Sequence, residues 1–165
     1  MKRVDPFILS IVFFMTIVIV GGVIFAYKSG GKPLETYTVE SQDRPKIELL
    51  ETTQDLGEMK VSDIKSADFI LKNIGTKSLQ INNISTSCDC TFAQVTIDGK
   101  QSPRFSMHQN PQWIGEIAPG TEAKVTAIYE PAKMPVEGKV ERSVHIKTND
   151  PQIPDLALTV TATVN

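Results

Sequence analysis

Only two cysteines, two histidines and one tryptophan occur in the 165 residues. Two cysteines do not build a disulfide-framework scaffold, and two cysteines with two histidines lack the spacing of a zinc finger. Charge of one sign is also missing: 17 Lys and Arg stand against 19 Asp and Glu, a net charge of -2. No basic cluster makes a stripe that would track phosphates, so nucleic acid is not an expected partner. The chain has no Gly-x-Ser-x-Gly elbow and no glycine-rich phosphate loop. The acidic residues of "GEMKVSD" and "TND" read as solvated turns and strand faces, and nothing in them requires a glycosidic acid pair. No catalytic set is complete. The expectation is a non-enzyme, with a catalytic thiol role left open.

Charge is absent altogether from one segment. Residues 7–27, "FILSIVFFMTIVIVGGVIFAY", contain no Asp, Glu, Lys or Arg. At about 1.5 Å per residue, a helix of this length crosses about 30 Å of hydrocarbon. Its backbone groups are satisfied internally, as lipid demands. A cleaved signal peptide has a shorter apolar core and small residues at the cut, and "VIFAYKSGG" is a poor site. The segment therefore reads as a single uncleaved N-terminal transmembrane helix, with the lipid bilayer as its partner. Residues 1–6, with Lys2 and Arg3, read as a short cytoplasmic tail, although Lys28 and Lys32 balance the count across the span. The bulk of the chain then lies outside the cytoplasm, where disulfides are permitted. Residues 28–45 are polar and hold two glycines and two prolines; they read as a spacer.

From residue 46 to 165 no sustained helical period occurs. Short alternating runs take its place. Ala67, Phe69 and Leu71 share one face before a turn at Asn73 to Thr76. Leu79 and Ile81 form another face, and Val125, Ala127 and Tyr129 a third, stopped by Pro131. Val140, Arg142, Val144 and Ile146 alternate before an Asn-Asp-Pro turn. Leu156, Leu158, Val160, Ala162 and Val164 alternate with threonines. "KIELLE", "DLGEMK" and "WIGEI" read as shorter strands, residues 98–103 as a hairpin tip and residues 105–112 as irregular, with Trp113 anchoring that loop by packing. Val, Ile and Thr crowd these runs and prolines interrupt them, which excludes helices. The expected fold is all-β: an immunoglobulin-like antiparallel β-sandwich of seven to nine strands over residues 46–165.

The two cysteines stand one residue apart in "NISTSCDCTFAQV". In an extended strand Cys88 and Cys90 project to the same side. Their Cα atoms are then about 6.6 Å apart, near the outer limit for a disulfide. A bridge needs a kink, and is readily reduced. The Cys-x-x-Cys arrangement of thioredoxins is absent. Met107 and His108 follow in "FSMH". If that loop returns over the cysteines, Cys88, Cys90, Met107 and His108 form a soft donor set suited to Cu(I) and less to Zn(II). His145, out of phase with Val144 and Ile146, faces solvent. Four readings of the thiol pair stay open: small buried side chains, a disulfide, a metal site, or a redox or catalytic pair.

The segments "DLGEM", "FILKNIGTKSLQINNISTSCDCT", "IAPGTEAKVTAIYEP" and "GKVERSVHIKTNDP" follow in order. Together they resemble the bacterial family catalogued as domain of unknown function 1573. Asn73, Gly75, Leu79, Ile81, Ser87, Cys88, Cys90 and Thr91 stand on its Asn-x-Gly turn, apolar strand and Ser-Cys-Gly-Cys-Thr-like motif. Asp89 departs from it, where glycine is commoner. The resemblance implies a sandwich related to the major-sperm-protein and PapD-like group, exported or anchored, and brings no catalytic activity. The expected role is a protein-interaction or assembly module, single-pass in the bacterial cell membrane with its C-terminal domain extracytoplasmic. It would take another protein at a sheet edge. The alternative is a copper-binding or thiol-redox protein using the Cys-x-Cys motif and the Met-His pair.

Overall fold

The computed structural model describes residues 6–29 and 34–165. The chain divides into two units, Met1–Pro33 and Leu34–Asn165. In the first, α1 runs Pro6–Ser29. Its polar side chains are satisfied within the helix: the Ser10 hydroxyl donates to the Phe7 carbonyl at 2.8 Å and that of Thr16 to the Phe13 carbonyl at 2.8 Å. The side chains described on α1 are Phe7, Ser10 and residues 11–22. Among the described residues no helix is long and apolar enough to cross a membrane, so the spanning role of residues 7–27 rests on the sequence. Of the expected cytoplasmic tail, residues 1–5 lie outside the described residues, as do residues 30–33 of the expected spacer.

In chain order, the second unit contains β1 (Ile47–Leu49), β2 (Thr53–Met59), β3 (Lys65–Asn73), β4 (Leu79–Thr86), β5 (Thr91–Ile97), β6 (Lys100–Gln101), β7 (Ile114–Ile117), β8 (Glu122–Tyr129), β9 (Gly138–Thr148) and β10 (Asp155–Val164). One sheet has the order β1-β3-β8-β5-β6 and the other β2-β10-β9-β4-β7. Period-two patterning decides which side of each strand is dry. β3 buries Ala67, Phe69, Leu71 and Asn73; β8 buries Ala123, Val125, Ala127 and Tyr129; β10 buries Leu156, Leu158, Val160, Ala162 and Val164. The two inner faces meet in one core that includes Phe69, Leu71, Leu79, Ile81, Val95, Phe105, Val125 and Leu158. Fully burying a side chain of this size stabilises the fold by about 1.5–3 kcal/mol.

Two sequence expectations need correction. Ten strands form where seven to nine were expected. β5, at the centre of contacts between β8 and β6, has no strong apolar alternation because its inward residues begin with Thr91 and Ala93. The sheets are also not wholly antiparallel: β2 pairs β10 in parallel, Thr53 with Thr159 through Met59 with Val164. A hairpin cannot make a parallel pair, but the long path from β2 through the rest of the domain to β10 can.

The compact unit begins at Leu34, so part of the expected spacer lies against the sandwich. The Glu35 amide donates to Gln80 Oε1 at 2.8 Å, Thr76 donates to Asp43 at 3.0 Å, and Pro45 is buried. The Asn-x-Gly turn explains why the chain can close there. Asn73 Nδ2 donates to the Lys77 and Ile117 carbonyls at 2.8 and 2.9 Å, and its Oδ1 accepts the Gly75 amide at 3.0 Å. This side chain joins β3 of one sheet to β7 of the other. Gly75 lets the preceding segment pass close by: a Cβ there would sit 2.3 Å from the Arg44 carbonyl oxygen. The Asp98-Gly99 tip between β5 and β6 has positive φ at both residues, 49° and 74°, the conformation of a two-residue hairpin turn.

Candidate functional site

β4 ends at Thr86 and β5 starts at Thr91, so Cys88 and Cys90 lie in a turn and not in the extended strand the sequence suggested. Polar groups hold the turn. The Cys88 carbonyl accepts the Thr91 amide at 3.2 Å. The Thr86 hydroxyl lies 2.9 Å from the carbonyl oxygens of both Cys88 and Thr91. Ser87 is fastened to β9: its amide donates to the Ser143 carbonyl at 2.9 Å, and its Oγ accepts the Ser143 amide at 2.9 Å. The turn brings the two Cα atoms to 5.3 Å, and the sulfurs are joined. That separation lies inside the ordinary disulfide range. The kink that a bridge requires is the turn itself.

The bridge lies in a small buried cluster with Met59, Tyr129, Ala162 and Val164, apart from the main core. Cys88 keeps 9% of its surface exposed and Cys90 none. Cys88 Sγ accepts the Cys90 amide at 3.2 Å and lies 3.3 Å from Thr91 Oγ1. Arg142 Nε donates to Cys90 Sγ at 3.3 Å. The same guanidinium donates through Nη1 to the Glu141 carbonyl at 2.8 Å and lies 5.7 Å from the centre of the Tyr129 ring. Sequence reasoning placed Arg142 in phase with Val144 and Ile146 but gave it no role. An arginine in the core-facing phase of a strand needs a partner inside, and that was the available signal. Closing so short a loop removes little chain entropy, worth about 1.5 kcal/mol against about 4.7 for a loop of 100 residues. Stapling alone is a weak use for this bridge.

Of the pair expected to return over the cysteines, His108 approaches the motif, and its imidazole meets the residue between the cysteines. His108 Nε2 lies 3.4 Å from Asp89 Oδ2, with both side chains exposed. Met107 is 48% exposed. The two sulfurs are bonded to each other, and among the described residues no group of three or more His, Cys, Asp and Glu side chains is arranged to hold a metal ion. His145 is exposed on β9.

A second feature lies at the sheet edges. β2 is an edge strand, but the Lys65 ammonium donates to its Leu56 and Glu58 carbonyls, both at 2.8 Å. Charge placed on an edge in this way discourages pairing. The free side of β5 is covered beyond β6: the Ser102 amide donates to the Val95 carbonyl at 2.8 Å, and Phe105 and Ala93 exchange hydrogen bonds at 2.9 and 3.0 Å. β7 pairs β4 on one side and, among the described residues, has no strand on the other. Beside it runs a groove of about 260 Å³ lined by Ile97, Lys100, Trp113, Ile114 and Glu116 among others. Trp113 packs against Phe105 with ring centres 5.7 Å apart, as the sequence suggested. Its ring also lies over Gly115, where a Cβ would fall 2.4 Å from it.

Residues 45–163 match the family model described as HYDIN/CFA65/VesB-like, Ig-like domain. No curated protein matches the chain. Among solved structures, a protein of unknown function from Porphyromonas gingivalis W83 is similar with a TM-score of 0.57 and 20% identity, over 76% of this chain and 49% of that one. The chain thus spans about half the length of that protein. PapD-like domain 7 of human CEP192 is 13% identical with a TM-score of 0.48, over 82% of this chain and 98% of that domain. The secreted serine protease VesC from Vibrio cholerae is 11% identical with a TM-score of 0.47, over 72% and 23% of the two chains. At such identities the Porphyromonas likeness concerns the fold.

Proposed function

The chain belongs to the HYDIN/CFA65/VesB-like Ig-like domain family, and from that premise we propose that it is an interaction or assembly module. It is anchored in a bacterial membrane through residues 7–27 and works outside the cytoplasm. Support for the anchor is the uncharged run of the sequence. The resemblance to domain of unknown function 1573 fits the same sandwich and the same placement.

The observation that carries the reading is the open edge of β7. An extended segment of a partner protein adds there as a further strand. Its main-chain hydrogen bonds supply affinity and the adjoining groove supplies side-chain selectivity. Trp113 and Ile114 are the anchors on this chain, and Lys100 and Glu116 border them. The test is a photo-crosslinking residue placed at Glu116 or, as a control on the other edge of the same sheet, at Thr53. In native membranes the reading expects a discrete adduct from position 116 and none from position 53. Equal crosslinking at both, or at neither, contradicts it.

A soft-metal role for Cys88, Cys90, Met107 and His108 is the second reading. Its support is the approach of His108 to Asp89, which brings an imidazole to the turn that carries both sulfurs. It requires the bridge to be opened first. Titration of the reduced chain with Cu(I) and Zn(II), repeated on His108→Ala, tests it. Equal affinity in the two proteins removes His108 from the set.

A further inference from the structure

We infer that the Cys88–Cys90 bridge is a thiol–disulfide exchange site that oxidises a dithiol presented by a partner protein. The inference does not depend on the β7 edge, and stands on the surroundings of the two sulfurs.

Three observations carry it. The donors are the first. Arg142 Nε–H points at Cys90 Sγ from 3.3 Å, and the Cys90 amide and Thr91 hydroxyl lie 3.2 and 3.3 Å from Cys88 Sγ. A disulfide sulfur is a poor acceptor, whereas a thiolate is a good one and is favoured beside a cation. These groups therefore serve the reduced pair better than the bridge. A dithiol whose reduced form is stabilised makes an oxidising disulfide. Arg142 is the cation at the bridge: the Asp89 carboxylate is turned toward His108, 3.4 Å away, and Tyr129 contributes a ring to the cluster.

Exposure is the second. Cys88 retains 9% of its surface and Cys90 none, so of these two buried residues Cys88 is the nearer to solvent and the one an incoming thiolate meets first. The leaving sulfur is then Cys90, the one beside Arg142. The roles of nucleophilic target and stabilised leaving group fall on the appropriate residues.

The turn is the third. Thr86, the Thr91 amide and Ser143 hold its backbone by hydrogen bonds that do not involve the sulfurs. The two thiols are therefore kept together whether bonded or free.

The exchange balances. A thiolate of the partner attacks Cys88 Sγ, a mixed disulfide forms, the Cys88–Cys90 bond breaks, and its electron pair leaves on Cys90 Sγ beside Arg142. The partner's second thiolate then attacks its own sulfur in the mixed disulfide and expels Cys88. One partner dithiol becomes a disulfide and this chain becomes a reduced pair; of the two protons the partner's thiols give up, one goes to Cys88 and the other to solvent while Cys90 stays a thiolate beside Arg142. The transfer is stoichiometric, one bridge to one dithiol.

The test uses the full chain in detergent micelles, with a short synthetic peptide containing two cysteines as the dithiol and a glutathione buffer to fix the equilibrium. The wild type is expected to oxidise the peptide. Arg142→Gln is expected to shift the glutathione equilibrium toward the bridged form by about tenfold, with Arg142→Lys recovering most of the loss. Trapping supplies a second arm that does not need Arg142: with a one-cysteine version of the peptide supplied as its symmetric disulfide, the Cys88 thiolate of Cys90→Ser should attack it, keep one peptide as a mixed disulfide and release the other as a thiolate, and Cys88→Ser should form little at Cys90. An unchanged equilibrium in Arg142→Gln overturns the inference. Should that variant fail to fold, trapping decides: adducts confined to Cys88 support the inference, and equal adducts at both positions overturn it.

Discussion

The Arg44 guanidinium and the Asp150 carboxylate form an ion pair at 3.2 Å, with 15% and 1% of their side chains exposed. This pair ties the segment before β1 to the turn before β10. Asp150 does more than pair with a charge, since it also accepts the Ile47 amide at 2.9 Å and the Gln152 amide at 3.0 Å. Breaking a buried pair from one side leaves an uncompensated charge and costs about 3–5 kcal/mol. Arg44→Met should fall at the low end of that range, because Asp150 keeps two amide donors. Asp150→Ala should cost more, because it orphans those amides as well. Urea denaturation of the two variants checks the order; equal losses would show that the amide contacts contribute nothing.

Gly115 has no room for a side chain, with Trp113 Cη2 and Ile97 Cδ1 at 2.4 and 2.8 Å from where a Cβ would sit. Gly115→Ala should therefore push the indole off the strand and cost about 1–3 kcal/mol. Trp113 is the sole tryptophan, so its fluorescence reports the movement directly. A red-shifted emission is expected, and an unchanged spectrum would mean that the ring does not rest on Gly115.

Acid stability should depend on Asp68. Burial alone would raise its pKa, but the Thr126 hydroxyl, donating at 2.6 Å, and the Lys124 ammonium at 3.1 Å outweigh it and hold the carboxyl below its usual value. The folded pKa is lower than the unfolded one. The contribution is therefore present above the unfolded value, about 3.9, and is lost as pH falls through the folded value. Both partners are nearly half exposed, so the effect is small and salt-sensitive. Asp68→Asn should flatten the stability profile below pH 4 while leaving its shape near neutrality. Parallel profiles for variant and wild type would contradict this.

Much of the sandwich was legible because its long strands are covered on one face only. Ala67, Phe69 and Leu71, or the five apolar residues of β10, announce their inner face by alternation alone. β5 did not, since Thr91 and Ala93 bury without being strongly apolar. Nor did the parallel pairing of β2 with β10, because alternation states which face is dry and not which strand lies alongside. At the cysteines the motif was visible, but its local geometry was not. The turn depends on Thr86 and Ser143, and a strand-like run of β-branched residues conceals it. The approach of a loop to the motif was anticipated for His108; that its contact is Asp89, and that Arg142 reaches Cys90 from a separate strand, are matters of sheet register.

The proposed topology has a direct check. Glu137 is exposed, and the two native cysteines are bridged, so Glu137→Cys adds one reactive thiol. A membrane-impermeant maleimide should label it in cells whose outer layers are permeabilised but whose cytoplasmic membrane is intact. Labelling only after lysis would place the domain in the cytoplasm.

β7 is the strand proposed to receive a partner, and hydrogen exchange tests this most directly. The amides of residues 114–117 should exchange fast in the purified chain, apart from those bonded to β4, and slow markedly in native membranes where the partner is present. Protection confined to β7 in membranes is the predicted result. Identical exchange in both preparations, or added protection along β2 instead, would contradict it.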